Sequence, residues 1–226
     1  MLCPNWELTL KRRTLPVTAA FVAAAGLMLT ACASDDEKPK ANDKIAGADR
    51  DEKKSVSPSA TPSDAADRPE IELPADIKYV FEWSKTGDKD KDAVLNDGEQ
   101  FIKATDMAIA EQDARHRAYP FYSEGKIAAD TQVYVQAYVD KKIRTTGTYR
   151  FYDEAVTINK NGTASLVYCE DQGQAFARHI KTGKIDETPV TEKSYVLYNT
   201  ALRKNKQGVW VTTEMFMQRG NAKCQP

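Results

Sequence analysis

What most limits this chain is where its large apolar side chains lie. They fill the run from Leu15 to Ala31, are sparse from Ala33 to Asp76, and return at Ile77. A hydrophobic core must therefore come from residues 77–226, enough for one domain. The first run follows Lys11-Arg12-Arg13. It is short for a spanning helix and ends in small residues before Asp35-Asp36-Glu37. That pattern predicts a cleaved signal over 1–31 rather than a permanent membrane helix. The middle stretch carries 7 basic and 12 acidic side chains and the Ser/Thr/Pro cluster Ser55–Ser63. It cannot bury enough surface to offset its ordering entropy, so residues 32–76 are expected to be a disordered linker. As a flexible coil it would span on the order of 35–40 Å.

The periodicity changes within 77–226. Tyr79–Trp83 reads as a first strand or a flap against the core. Leu95, Gly98, Ile102, Thr105, Ile109 and Gln112 then recur at three- and four-residue steps, predicting a helix from Asp90 to Ala114. A second helix is expected from Ser123 to Lys142, although Val133, Val135, Ala137 and Val139 alternate as a strand would. Beyond Ile143 the signals are strands: 145–152, 155–158, 163–169, 174–180, 194–202 and 209–217, separated by turns such as Asn159-Lys160-Asn161-Gly162. Helices first and strands afterwards give an α+β plan, with the helices packed on one face of a curved antiparallel sheet. From Ile77 onward 22 basic side chains face 20 acidic ones, which leaves no electrostatic footprint for nucleic acid.

Leu29-Thr30-Ala31-Cys32, at the end of the apolar run, resembles the lipobox of bacterial lipoproteins. The resemblance implies cleavage before Cys32, lipidation of that cysteine, and anchoring at the extracytoplasmic face of the cell membrane. Further on come Asp92-Ala93-Val94-Leu95, Gly147-Thr148-Tyr149-Arg150, Tyr168-Cys169-Glu170-Asp171, the hairpin Gly208-Val209-Trp210-Val211, and Arg219-Gly220 with Cys224. Their order resembles small secreted or lipid-anchored proteins of actinomycete-type bacteria with a nuclear transport factor 2-like, cystatin-like cone domain. The likeness covers residues 88–226. It implies a cavity between the long helix and the sheet; polyketide cyclases and ketosteroid isomerases of that fold hold an acid or a His–Asp pair there. With Cys3 removed and Cys32 lipidated, Cys169 and Cys224 remain in an oxidising compartment, where a disulfide is expected. It would close a loop of about 55 residues and contribute about 4 kcal/mol in the chain-entropy model. Two buried thiols, or a zinc site completed by His116 or His179, are the alternatives; the latter lacks the usual short Cys-x-x-Cys spacing.

The sequence places no acid–base pair. His116, between Arg115 and Arg117, reads as a solvated helix end, and His179 as a strand residue before a turn. Asp88 to Glu99 is spaced like a calcium loop, but Ala93 stands where such a loop needs glycine, so a charged helix start is expected. Tyr119, Phe121, Tyr122, Tyr134 and Tyr138 would either line a cavity or fill the core. Trp210 is expected in the core, and Arg203, Lys204 and Lys206 at a solvated hairpin tip. No catalytic residue, metal or cofactor is assigned. The expected function is a non-enzymatic binding or accessory module of the cell envelope, with the membrane and an envelope protein as partners. The alternative is a pocket for a small apolar ligand, with isomerase- or cyclase-like chemistry.

Overall fold

The structure, a computed structural model, describes residues 67–226; the expected signal segment, Cys32 and the expected linker up to Ala66 lie outside the described residues. The first long element, α1 (Lys89–Ala110), starts where Asp88 accepts the backbone N–H groups of Asp90 and Lys91, with Asp90 and Asp92 in the first turn. Both features suit the exposed donors and positive end of a helix N-terminus. Val94, Leu95, Phe101, Ala104, Met107 and Ala108 form its buried stripe. Gly98 lies on it because a Cβ there would come within 2.8 Å of Leu166. The helix ends earlier than the predicted Ala114. Gln112 takes a left-handed φ of 57°, its N–H donating to Ile109 and that of Asp113 to Ala108. This is the left-handed stop usually left to glycine. The Gln112 side chain secures it by donating to the carbonyls of Ile109 (2.7 Å) and Ile143 (3.0 Å).

A short helix, α2 (Ala118–Phe121), precedes α3 (Gly125–Lys141). In α3 the helical period prevails over the alternation of valines, because Thr131 and Val135, four residues apart, face the core while Val133 stays 55% exposed.

The strands are β1 (Ile77–Phe81), β2 (Ile143–Ile158), β3 (Thr163–His179), β4 (Ile185–Asp186), β5 (Tyr195–Lys204) and β6 (Trp210–Arg219). They form one sheet in the order β1-β2-β3-β5-β6, with β4 on the side of β3. The expected α+β architecture is present, with one difference in the sheet. The pair β1–β2 is parallel, Tyr79 opposite Tyr149 and Phe81 opposite Phe151, so the sheet is mixed. The helices between these strands form the crossover that a parallel pair requires.

β2 and β3 are each continuous where the sequence predicts two pieces. The break at Asp153 is a bulge with Asp153 at φ 52°, and the break after Glu170 is a second one, with an extra residue between Asp171 and Gln174. Charged residues interrupt the pattern at both places without ending the strand. Bulges bend the strands that carry them, and here they curve the sheet around α1 and α3. Two apolar clusters fill the interior. One joins the C-terminal half of α1 to α2, α3 and the start of β6; the other joins its N-terminal half to β2, β3 and β5.

The packed body extends N-terminal to Ile77. Ile71 and Leu73 pack on the first cluster. Arg68 donates to the buried carboxylate of Asp97 at 2.6 Å, and Asp97 also accepts the Trp210 backbone N–H at 2.8 Å. On the outer face Cys169 and Cys224 are joined in a disulfide with Cα atoms 5.5 Å apart, and both are fully buried.

A candidate ligand site on the concave face

Alternation along the strands decides what faces α1 and α3. Tyr79 and Phe81 of β1 stand beside Tyr149 and Phe151 of β2. Tyr168 and Glu170 of β3 follow, then Tyr198 and Val196 of β5. The rings stack along this face: Tyr79 on Tyr149 at 5.5 Å, Phe81 on Phe151 at 4.4 Å and Tyr168 on Tyr198 at 4.9 Å. Offset aromatic pairs of this kind contribute about 0.5–1.5 kcal/mol each beyond their burial.

Two carboxyl groups enter this aromatic surface. Asp106 comes from α1, one turn after Ile102 and three residues before Ile109. The Tyr79 hydroxyl donates to it, as does the Thr145 hydroxyl at 3.1 Å. Burial raises its pKa to about 6, against the partial relief of those two hydrogen bonds. Glu170 comes from β3, opposite Phe151 on one side and Val196 on the other. It is 6% exposed, accepts from the Gln172 amide at 3.0 Å, and is hydrogen-bonded to the Tyr198 hydroxyl. Burial lifts its pKa to about 7, the Asp106 charge adding to the shift and that of Arg219 opposing it. The Asp106 charge thus adds a minor upward push to the Glu170 carboxyl.

Tyr134 and Tyr138 of α3 close the other side, their hydroxyls 3.1 Å apart. The Tyr134 hydroxyl is held well above its ordinary pKa by burial, with Tyr138, Asp106 and Tyr149 adding to the effect, yet the side chain keeps 43% of its surface open. Met217, at the free edge of β6, is likewise 37% exposed. Two surface hollows, one beside Phe81, Trp83, Leu95 and Glu99 and the other beside Met107, Glu111 and His116, contain neither acid.

The other residues singled out in the sequence are dispersed. Tyr119 and Tyr122 are 2% and 1% exposed in the core with Phe121 against them, so of the five aromatics only Tyr134 and Tyr138 reach the concavity. Trp210 is buried. His116 accepts the Ala118 N–H at 3.2 Å and lies 3.3 Å from Glu111, whereas His179 pairs with Asp186 at 2.7 Å. Cys169 and Cys224, bonded to each other, offer no thiolate to a metal. The carboxylates of 88–99 turn to separate partners: Asp88 caps α1, Asp90 meets Lys204 at 2.9 Å, Asp92 accepts from Thr86 and Glu99 pairs with Lys103. Arg203 pairs with Glu124, so the hairpin tip is bound to neighbouring elements.

Asp106 and Glu170 are the functional candidates that sequence reasoning missed. A carboxylate between Ile102 and Ile109 on a buried stripe was the available signal for Asp106. Glu170 sits where a charged pair interrupts a strand, and that interruption reads as a strand end.

No protein-family model matches the chain, and neither does any curated protein sequence. Solved structures do align with it. The intermembrane-space region of chloroplast protein ARC6 is 13% identical over 57% of this chain and 96% of its own, with a TM-score of 0.38. Aln2 from a Streptomyces species is 12% identical over 56% and 90%, with a TM-score of 0.39. ActVI-ORFA from Streptomyces coelicolor is 12% identical over 56% and 94%, with a TM-score of 0.36. Residue roles are therefore read from this chain's own geometry.

Proposed function

We propose that residues 67–226 form a small-molecule-binding domain whose ligand rests on the concave face between Asp106 and Glu170. The observation that carries this reading is a pair of desolvated carboxyl groups among tyrosines, on a face left partly open at Tyr134 and Met217. A carboxyl with a pKa of about 6 or 7 is partly protonated at neutral pH and can take or return a proton. Proton shuttling of the isomerase or cyclase type is the chemistry such a pair can perform on a bound substrate. We further propose that Cys32 anchors the domain at the extracytoplasmic face of the membrane, where it serves the envelope as a binding module. The Leu29–Cys32 motif behind a basic and apolar leader supports that placement. So does the Cys169–Cys224 bond, of a kind that persists outside the cytoplasm.

Native mass spectrometry of the full-length chain, released in detergent from an oxidising host, tests the ligand reading. The expected result is a mass excess that disappears on denaturation and is absent from Asp106→Asn and Glu170→Gln. A bare wild-type mass, with no small molecule in a screen raising the melting temperature, would contradict it. For the anchor, Cys32→Ser should move the protein from the membrane fraction to the soluble one; retention in the membrane would contradict it.

A further inference from the structure

Three asparagines make the same local turn, each side-chain oxygen accepting from the backbone N–H two residues on. Asn161, at the tip of the β2–β3 hairpin, accepts from Thr163 at 3.1 Å. Asn205, at the β5–β6 tip, accepts from Gln207 at 2.9 Å, and Asn221, just after β6, accepts from Lys223 at 2.9 Å. Such a turn folds the carboxamide back along its own main chain, toward the peptide nitrogen of the next residue. The three differ in what that next residue is: Gly162, Lys206 and Ala222. Asn161 is the one asparagine in the chain that a glycine follows. Two further features set it apart. Its Oδ1 also accepts from the Thr163 hydroxyl at 2.7 Å, and two donors on one oxygen polarise the carboxamide and leave Cγ more electron-poor. Asn161 and Gly162 are both exposed, whereas Asn205 and Asn221 are half-buried. The space over Gly162 is open, with no atom within 4 Å of where a Cβ would stand. Its N–H donates to the Asn159 carbonyl at 3.0 Å, a bond at an exposed tip that water can replace at little cost.

We propose that Asn161 is a site of spontaneous deamidation, at which the β2–β3 tip converts to aspartate and isoaspartate as the protein ages. The Gly162 backbone nitrogen attacks Cγ of Asn161. A C–N bond forms, that nitrogen gives up its proton, and the side-chain nitrogen leaves as ammonia. Water then opens the resulting five-membered imide. Cleavage of the bond to Cγ leaves aspartate in an ordinary backbone; cleavage of the bond to the backbone carbonyl leaves isoaspartate, with the chain running through Cγ. Glycine makes the attack accessible, because without a Cβ its nitrogen is unhindered and its backbone free to reach the ring geometry. The side chains of Lys206 and Ala222 crowd the same approach in the other two turns. The products differ in consequence. An aspartate carboxylate accepts from the same two Thr163 donors. Isoaspartate adds a carbon to the main chain between Asn159 and Thr163, whose 2.8 Å N–H···O bond closes the hairpin.

The test incubates the full-length chain in detergent at pH 6 and pH 8, beside a urea-unfolded control, then reduces it and cleaves it after glutamate. The peptides 155–170, 193–214 and 215–226 carry the three asparagines separately, and mass spectrometry follows the mass gain of amide-to-acid exchange in each. In the folded protein, peptide 155–170 should convert at least tenfold faster than the other two, with fragmentation placing the change at Asn161. Attack by a peptide nitrogen that must lose its proton should make conversion at least fivefold faster at pH 8 than at pH 6. Part of the product should be isoaspartate, detected as methyl acceptance from an isoaspartate-specific methyltransferase. Equal rates in the three peptides, a change placed at Asn159, or aspartate without isoaspartate would overturn the proposal. So would a folded chain that stays unconverted while the unfolded control converts, because the hairpin would then protect Asn161 instead of exposing it.

Discussion

Gly147 is the residue at which the backbone leaves least freedom. It has φ +95°, and a Cβ there would lie 2.1 Å from the Gln174 carbonyl oxygen of the neighbouring strand. Neither atom can yield without breaking the ladder beside Thr145, which orients Asp106. Gly147→Ala should therefore cost about 2–4 kcal/mol in urea unfolding, and an unchanged midpoint would refute the close approach. Asp106 and Glu170 set a pH dependence of definite sign. Both have folded pKa values above their unfolded ones, so the stability they contribute is fully present below about pH 4 and lost as pH rises through 6 and 7. Asp76 acts in the opposite direction. Hydrogen bonding from Arg144, with help from Thr146 and Arg178, holds it at about 2, and its contribution is lost as pH falls through that value. Melting temperatures should accordingly decline from pH 4 to pH 7, and Asp106→Asn should flatten the decline. An equal slope in the variant would contradict the assignment.

Among the elements, the two bulged strands and the N-terminal strap carry the consequences. The strap lies across α1 through the Arg68–Asp97 pair, with Asp97 1% exposed. Arg68→Ala strands a buried carboxylate and should cost about 3 kcal/mol, read as a lower urea midpoint; a loss below about 0.5 kcal/mol, the scale of an ordinary surface substitution, would show the strap to be incidental. The disulfide closes a 55-residue separation. Its removal in a Cys169→Ala, Cys224→Ala double variant should cost up to about 4 kcal/mol, seen as a melting temperature that no longer responds to reductant. Most of these elements were legible in the sequence, because helical and strand periods are local properties of the chain. The early stop of α1 was not, since it depends on a non-glycine residue held in the left-handed region by its own side chain. The bulges were legible only as gaps, and Glu170 lay in one of them.

At the scale of the whole molecule, α+β order follows from helices preceding strands, and one departure, the parallel β1–β2 pair, follows from the length of the helical crossover. The candidate site was the least legible part. It is assembled from residues distant in sequence, with Asp106 from a helix and Glu170 from a strand, and each reads locally as a polar interruption. Only curvature brings them onto one aromatic surface. The account stands or falls on both carboxyls being desolvated. The direct test is a carboxyl-carbon NMR titration of the full-length chain, labelled at aspartate and glutamate side chains. The account predicts two carboxyls titrating near pH 6 and 7, with the Glu170 midpoint lowered in Asp106→Asn. Midpoints for both below about 4.5, the range of free carboxyls, would mean that water reaches them freely and that the concave face is not the site.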